Sequence, residues 1–217
     1  MNTFDWASLK VLPYLLRDGY DRQQQLRDLL AIFFDNGFLK VTILSDLGGR
    51  MASCIDKHTG RELLFRNPVF QPANLAVLNA WFSGGIEWNG LVPGHTPTTC
   101  SPIFIARIDT DRGPILRLYE FDRIREAAWQ VDLFMPPDAA RLWVHGRIVN
   151  PNPWPIRAYW WTNIAAPLTP GTRVLSPATH SIEHLPPDGR LSRVPFPHVG
   201  EDDGSYPARH TYATSTF

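Results

Sequence analysis

The chain has 217 residues with 21 Lys and Arg against 21 Asp and Glu, and a net charge of zero excludes a whole-chain field that gathers nucleic acid or an anionic membrane. Hydrophobic residues make up 44% and charged residues 19%, which excludes a disordered chain and supplies a sizeable core. With 15 Gly and 20 Pro, helix breakers are too dense for a helical bundle, so an all-β architecture is expected.

The length suits a single β domain over residues 1–217, because sandwiches run past roughly 200 residues as one unit. Cys54 and Cys100 are too few for a disulfide framework and lack zinc spacing. A reducing, cytoplasmic setting is therefore expected, with no metal and no cofactor. Met1 to Pro13 carries no basic segment leading into a long apolar run, and no stretch of about 18 apolar residues occurs, so neither a signal peptide nor a membrane span is expected.

In chain order, residues 1–28 read as a lead-in, with helical content confined to the part before Leu29. Leu29 to Phe34, the turn Asp35-Asn36-Gly37 and Phe38 to Leu44 form the pattern of a β-hairpin. Arg50 to Asp56 and Glu62 to Phe65, separated by Lys57-His58-Thr59-Gly60, repeat that pattern. Ile103 to Ile108, Ile115 to Ile124, Trp129 to Phe134 and Leu142 to Val149 then recur at the roughly 12-residue spacing of a sandwich or barrel. Within them Trp129, Val131 and Leu133 are expected to face one way and Gln130 and Asp132 the other. A last strand is expected over Ile156 to Ile164. Residues 168–217 read as loop-rich, and the chain is expected to stop inside a larger fold after Thr214-Ser215-Thr216-Phe217.

Two segments carry chemistry. Asn79 to Gly90 followed by Gly94 to Thr99 holds Trp81, Glu87, Trp88, Asn89 and His95, the inventory of a sugar site: indole faces for a pyranose, polar groups for hydroxyls, an imidazole for proton transfer. The same segment also suits a core loop whose indoles only pack. In Tyr159-Trp160-Trp161-Thr162-Asn163, strand alternation puts Trp161 and Asn163 on one face and Trp160 on the other. One Trp can enter the core while the other faces a cleft. His180, Glu183 and His184 have metal spacing only on a helix, which Pro177, Pro186 and Pro187 disfavour, so they read as surface-loop residues. His145 reads as a strand residue, and His58, His198 and His210 as loop residues. No dinucleotide fingerprint, phosphate loop or nucleophile elbow occurs.

Phe38 to Leu44, Leu47-Gly48-Gly49-Arg50, Asp56-Lys57 and Thr59 to Leu64 resemble the opening hairpins of galactose-mutarotase-like proteins. Asn67 to Ala73, Ser83-Gly84-Gly85-Ile86-Glu87-Trp88-Asn89, Gly94 to Pro97 and Tyr159 to Ala165 are similar to one subgroup, the bacterial domain of unknown function found ahead of tetratricopeptide repeats. The resemblance spans about Pro13 to Pro177. It implies an antiparallel β-supersandwich, incomplete at its C-terminus, a small-molecule carbohydrate partner, and a tetratricopeptide-repeat region in a longer chain. Aldose mutarotases pair a His acid with a Glu base from the C-terminal part of the fold, and the strand Tyr159 to Asn163 lacks their imidazole.

Three functions are consistent with these residues. An epimerase- or mutarotase-like enzyme would use Glu87 and His95 for proton transfer, with Trp81, Trp88, Asn89, Trp161, Asn163 and Arg50 binding substrate. A carbohydrate-binding module would use the indoles alone. A scaffold domain would dock a helical-repeat partner through exposed aromatics.

Overall fold

Leu39, Val41 and Ile43 alternate with Lys40 and Thr42 and turn their side chains inward, the period-2 pattern that makes a strand bury one face. In the computed structural model, residues 12–17, 19, 21, 23–72, 78, 80–92, 94–185, 190–199 and 201–209 are described, the side chains of 183–185 and 199 excepted. Asn79, His210 and Thr214 to Phe217 lie outside the described residues.

The first five strands are β1 (Ala31–Asp35), β2 (Leu39–Leu44), β3 (Arg50–Asp56), β4 (Arg61–Glu62) and β5 (Ile86–Gly90). They are followed by β6 (Phe104–Thr110), β7 (Gly113–Asp122), β8 (Ala127–Phe134), β9 (Trp143–Val149) and β10 (Trp160–Ile164). One antiparallel sheet runs β1-β2-β3-β5-β10 with β4 beside β3, and a second is the meander β6-β7-β8-β9. The β1–β2 turn is stapled by its own side chains. Asp35 accepts from the Gly37 amide, and Asn36 Oδ1 accepts from those of Phe38 and Leu39, at 2.7 to 3.0 Å.

The two sheets share one core. Val41, Met51 and Trp88 of the first meet Leu118, Trp129 and Val131 of the second. In β8, buried and half-buried residues alternate as its sequence dictates. The fold class is thus an all-β antiparallel sandwich. Among the described residues the only helical segments are short 3-10 turns at Ser45–Leu47 and Pro207–Arg209, and no helix is long and apolar enough to cross a membrane.

Several boundaries differ from those read in the sequence. Residues 23–30 form neither helix nor strand. The strand expected over Glu62 to Phe65 ends at Glu62. That expected from Ile156 starts only at Trp160. Ile86 to Gly90, part of the segment that also suited a core loop, is a buried strand between β3 and β10.

Contacts divide the chain into two units, with the break between Ala166 and Pro167. Both sheets belong to the larger one. The other contains two hairpins where loop was expected: β11 (His180–Leu185) with β12 (Arg190–Pro195), and β13 (His198–Val199) with β14 (Asp202–Asp203). His180 therefore lies in a strand, not a loop, which removes the helical spacing needed for a metal pair.

Candidate functional site

The register of β5 and β10 builds the site. Glu87 stands opposite Asn163, and Asn89 opposite Trp161. These four share the face turned away from the core, while Trp88 and Trp160 occupy the opposite face. Gly85 lets β5 reach β3. Its φ is 68°, and a Cβ there would sit 2.2 Å from the Met51 carbonyl oxygen. Gly85 thus serves strand-to-strand approach, and a Cβ at Gly84 would sit 3.0 Å from Asn67. Beyond β5, Leu91 at φ 70° turns the chain into the loop that carries His95.

Glu87 is 3% exposed, and both its oxygens are occupied. Oε1 accepts from the Thr99 hydroxyl at 2.5 Å and lies 3.7 Å from Arg50 Nη2. Oε2 accepts from Trp81 Nε1 at 3.0 Å and Asn163 Nδ2 at 3.2 Å, and meets His95 Nδ1 at 3.0 Å. Burial pushes this carboxyl up, but the His95 hydrogen bond, the Arg50 and His95 charges and the Thr99 hydroxyl outweigh it and bring it down to about 2. Glu87 is ionised and can only accept, so His95 Nδ1 carries a proton toward it.

Arg50 is equally buried. Nη1 donates to the Gly84 carbonyl at 2.8 Å, Nη2 to Thr99 at 3.1 Å, and its guanidinium carbon lies 4.0 Å from the Phe82 ring centroid. Burial is the main influence lowering its pKa, and the Glu87 charge opposes that.

His95 lies between two indoles. Its ring centroid is 4.8 Å from that of Trp81 and 5.0 Å from that of Trp161. Trp161 Nε1 donates to the Gly94 carbonyl at 2.7 Å, which ties β10 to the His95 loop. Both indoles are half-buried. His95 is itself buried, at 8% exposed, and its Nε2 makes no hydrogen bond among the described residues. The arrangement is a row of three rings with one reactive nitrogen, held from behind by a sealed carboxylate.

Glu87, His95, Trp81, Trp161, Asn163 and Arg50 are therefore brought together. Trp88 is not. It is 2% exposed in the core, with Nε1 donating to the Gly49 carbonyl, because alternation sends it to the face opposite Glu87. Asn89 is sealed too, its Oδ1 accepting from the Thr96 amide at 2.8 Å. It shapes the loop and cannot touch a ligand from solvent. Glu87 is likewise closed to substrate, so its contact is with His95 rather than with a reacting atom. Sequence reasoning missed Thr99 and Phe82, which no spacing rule connects to Glu87 or Arg50. Among the described residues the groups that could hold a metal form no cluster. Cys54 and Cys100 are free and buried, and burial pushes the Cys100 thiol up to about 11.

These features define an all-β sandwich with a hydrogen-bonded Glu–His couple beside an aromatic row. The chain belongs to the family described as Domain of unknown function (DUF5107), which matches residues 7–210. It is similar to the crystal structure of a TPR-domain containing protein from Parabacteroides distasonis ATCC 8503. That likeness has a TM-score of 0.66 and 23% identity over 76% of this chain, and shows a shared fold. The chain spans 28% of that protein's length.

Proposed function

We propose that this domain recognises carbohydrate through the row Trp81, His95 and Trp161. The observation that carries the reading is the His95 imidazole held between two half-buried indoles, with its Nε2 unbonded among the described residues. Indole faces suit the C–H face of a pyranose, and Nε2 can exchange a hydrogen bond or a proton with a hydroxyl or ring oxygen. Glu87 is a positioning residue in this account. It fixes the imidazole's tautomer and plane, as an orienting carboxylate does for a catalytic histidine. The galactose-mutarotase-like character of the sequence supports the same ligand class.

Epimerisation at an anomeric carbon needs an acid and a base on one substrate. His95 supplies one of them. Recognition is accordingly the main reading, and proton transfer by His95 its extension. A second reading, a domain placed beside a tetratricopeptide-repeat region in a longer chain, is supported by the description of the similar crystal structure. A reducing setting, such as the cytoplasm, is consistent with the two free thiols.

Titration calorimetry with a panel of neutral mono- and disaccharides tests the proposal. At least one should bind the wild type, and Trp161→Ala should weaken it about fivefold, the worth of roughly 1 kcal/mol of aromatic contact. Polarimetry on the bound sugars, with His95→Gln as the control, reads any turnover. No heat from any saccharide would refute carbohydrate recognition.

A further inference from the structure

A second feature lies on the same sheet. A cavity of about 140 Å³ is bordered by Arg50, Ser53, Arg66 and Asn67 on its polar side and by Leu44 and Phe70 on its apolar side, roughly ten times the space one water needs by the same measure. Glu87 and His95 do not line it. Arg50 belongs to both places: its Nη atoms serve Gly84, Thr99 and Glu87, while its Nε is buried with no acceptor. A sealed, unpaired guanidinium donor is costly in a folded protein.

The charges around the cavity are unevenly paired. Glu87 offsets Arg50 at 3.7 Å. Glu62, the nearby acid, is occupied by the Ser53 hydroxyl at 2.5 Å and the Cys54 amide at 2.8 Å. Arg66, exposed at the rim, makes no ion pair or hydrogen bond among the described residues. Arg50 thus has a carboxylate partner, whereas Arg66 stands at the cavity rim with none among the described residues.

We propose that this cavity is an oxyanion subsite, taking a carboxylate, sulfate or phosphate group between Arg66 and the Arg50 side of the sheet. Arginine's planar fork suits such groups. Where the carbohydrate reading also holds, the oxyanion is the carboxylate of an acidic sugar. The subsite stands without that reading if the anion is free and inorganic.

The experiment is a nuclear magnetic resonance titration of the whole chain with sodium sulfate, D-glucuronate and D-glucose in parallel, repeated for Arg66→Gln. Arg112→Gln, on the β6–β7 turn, controls for loss of one positive charge elsewhere. Saturable shifts at the Arg66, Asn67 and Gly84 amides with sulfate are expected, weakened at least about tenfold by Arg66→Gln, as loss of a charge-assisted contact implies. Arg112→Gln should leave them unchanged. D-Glucuronate binding tighter than D-glucose, and displaced by sulfate, identifies a sugar carboxylate as the source. Sulfate binding with every saccharide silent leaves the subsite standing and ends the carbohydrate reading. Saccharide binding with both anions producing no saturable shift at these amides overturns the subsite alone, as does sulfate binding unaffected by Arg66→Gln.

Discussion

Asn163 of β10 stands directly across from Glu87 of β5, and its amide donates to the Glu87 carboxylate at 3.2 Å. The edge strand is thereby tied to the buried carboxylate by a side chain as well as by its ladder. Trp161, two residues earlier on the same face, is placed against His95 by that registration. A one-residue slip would turn Trp160 and Thr162 toward the site and Trp161 into the core.

Glu87→Gln should destabilise the larger unit. It leaves the buried Arg50 guanidinium without its charge partner and places an amide N–H among donors. Breaking a buried ion pair costs about 3–5 kcal/mol, which lowers the melting temperature by roughly 10 °C in a domain of this size. Differential scanning calorimetry reads this directly. A change within about 2 °C, close to the effect of a surface substitution, would mean that Glu87 does not hold the loop.

The same carboxylate makes stability acid-sensitive. Its folded pKa of about 2 lies below its ordinary 4.5, so the folded state favours the charged form. That stabilisation is fully present above pH 4.5 and is lost as pH falls through 4.5 toward 2, on the order of 3 kcal/mol in all. Chemical denaturation across this range should show it, and Glu87→Gln should flatten the contribution. An equal acid dependence in the variant would assign it to other groups.

Trp88→Ala and Trp161→Ala should separate core from site. Removing Trp88 opens a core cavity at a cost of about 3–5 kcal/mol. Removing half-buried Trp161 should cost less stability and act on ligand affinity. Paired urea titrations check the order, which would be reversed if Trp88 were a stacking residue.

Gly85→Ala should fail as a steric and conformational conflict together. Its Cβ would meet the Met51 carbonyl at 2.2 Å in a backbone at φ 68°. The cost should exceed about 2 kcal/mol. Yield of soluble protein and urea midpoint measure it, and a wild-type midpoint would contradict this reading of the β3–β5 contact.

Much of this architecture was legible because local rules are strong where one face is buried. The Asn36-Gly37 hairpin and the alternation of β8 follow from turn chemistry and period alone. The meeting of Glu87, His95 and Asn163 was foreseeable as a set of useful residue types, and the β10 alternation put Trp161 and Asn163 on one face without saying which face that was. What sequence reading lacked was β5 as a strand. Ile86-Glu87-Trp88-Asn89 alternates apolar and polar, which sorts Trp88 into the core and Glu87 to the other face only once the segment is taken as extended. The glycines on either side hid that, and burial of both faces followed from tertiary closure. Sealing of Glu87 by Thr99, Arg50 and Trp81 depends on tertiary closure over separations of 6 to 37 positions. Spacing rules do not reach that far.

The most direct measurement is the response of the indole N–H signals to saccharide in ¹⁵N-labelled protein. Binding at the aromatic row should shift the Trp81 and Trp161 indole resonances in a saturable way and leave core Trp88 and Trp129 in place. Saturation by a bound sugar with Trp81 and Trp161 unmoved, or no response to any saccharide, would contradict the row as a carbohydrate site.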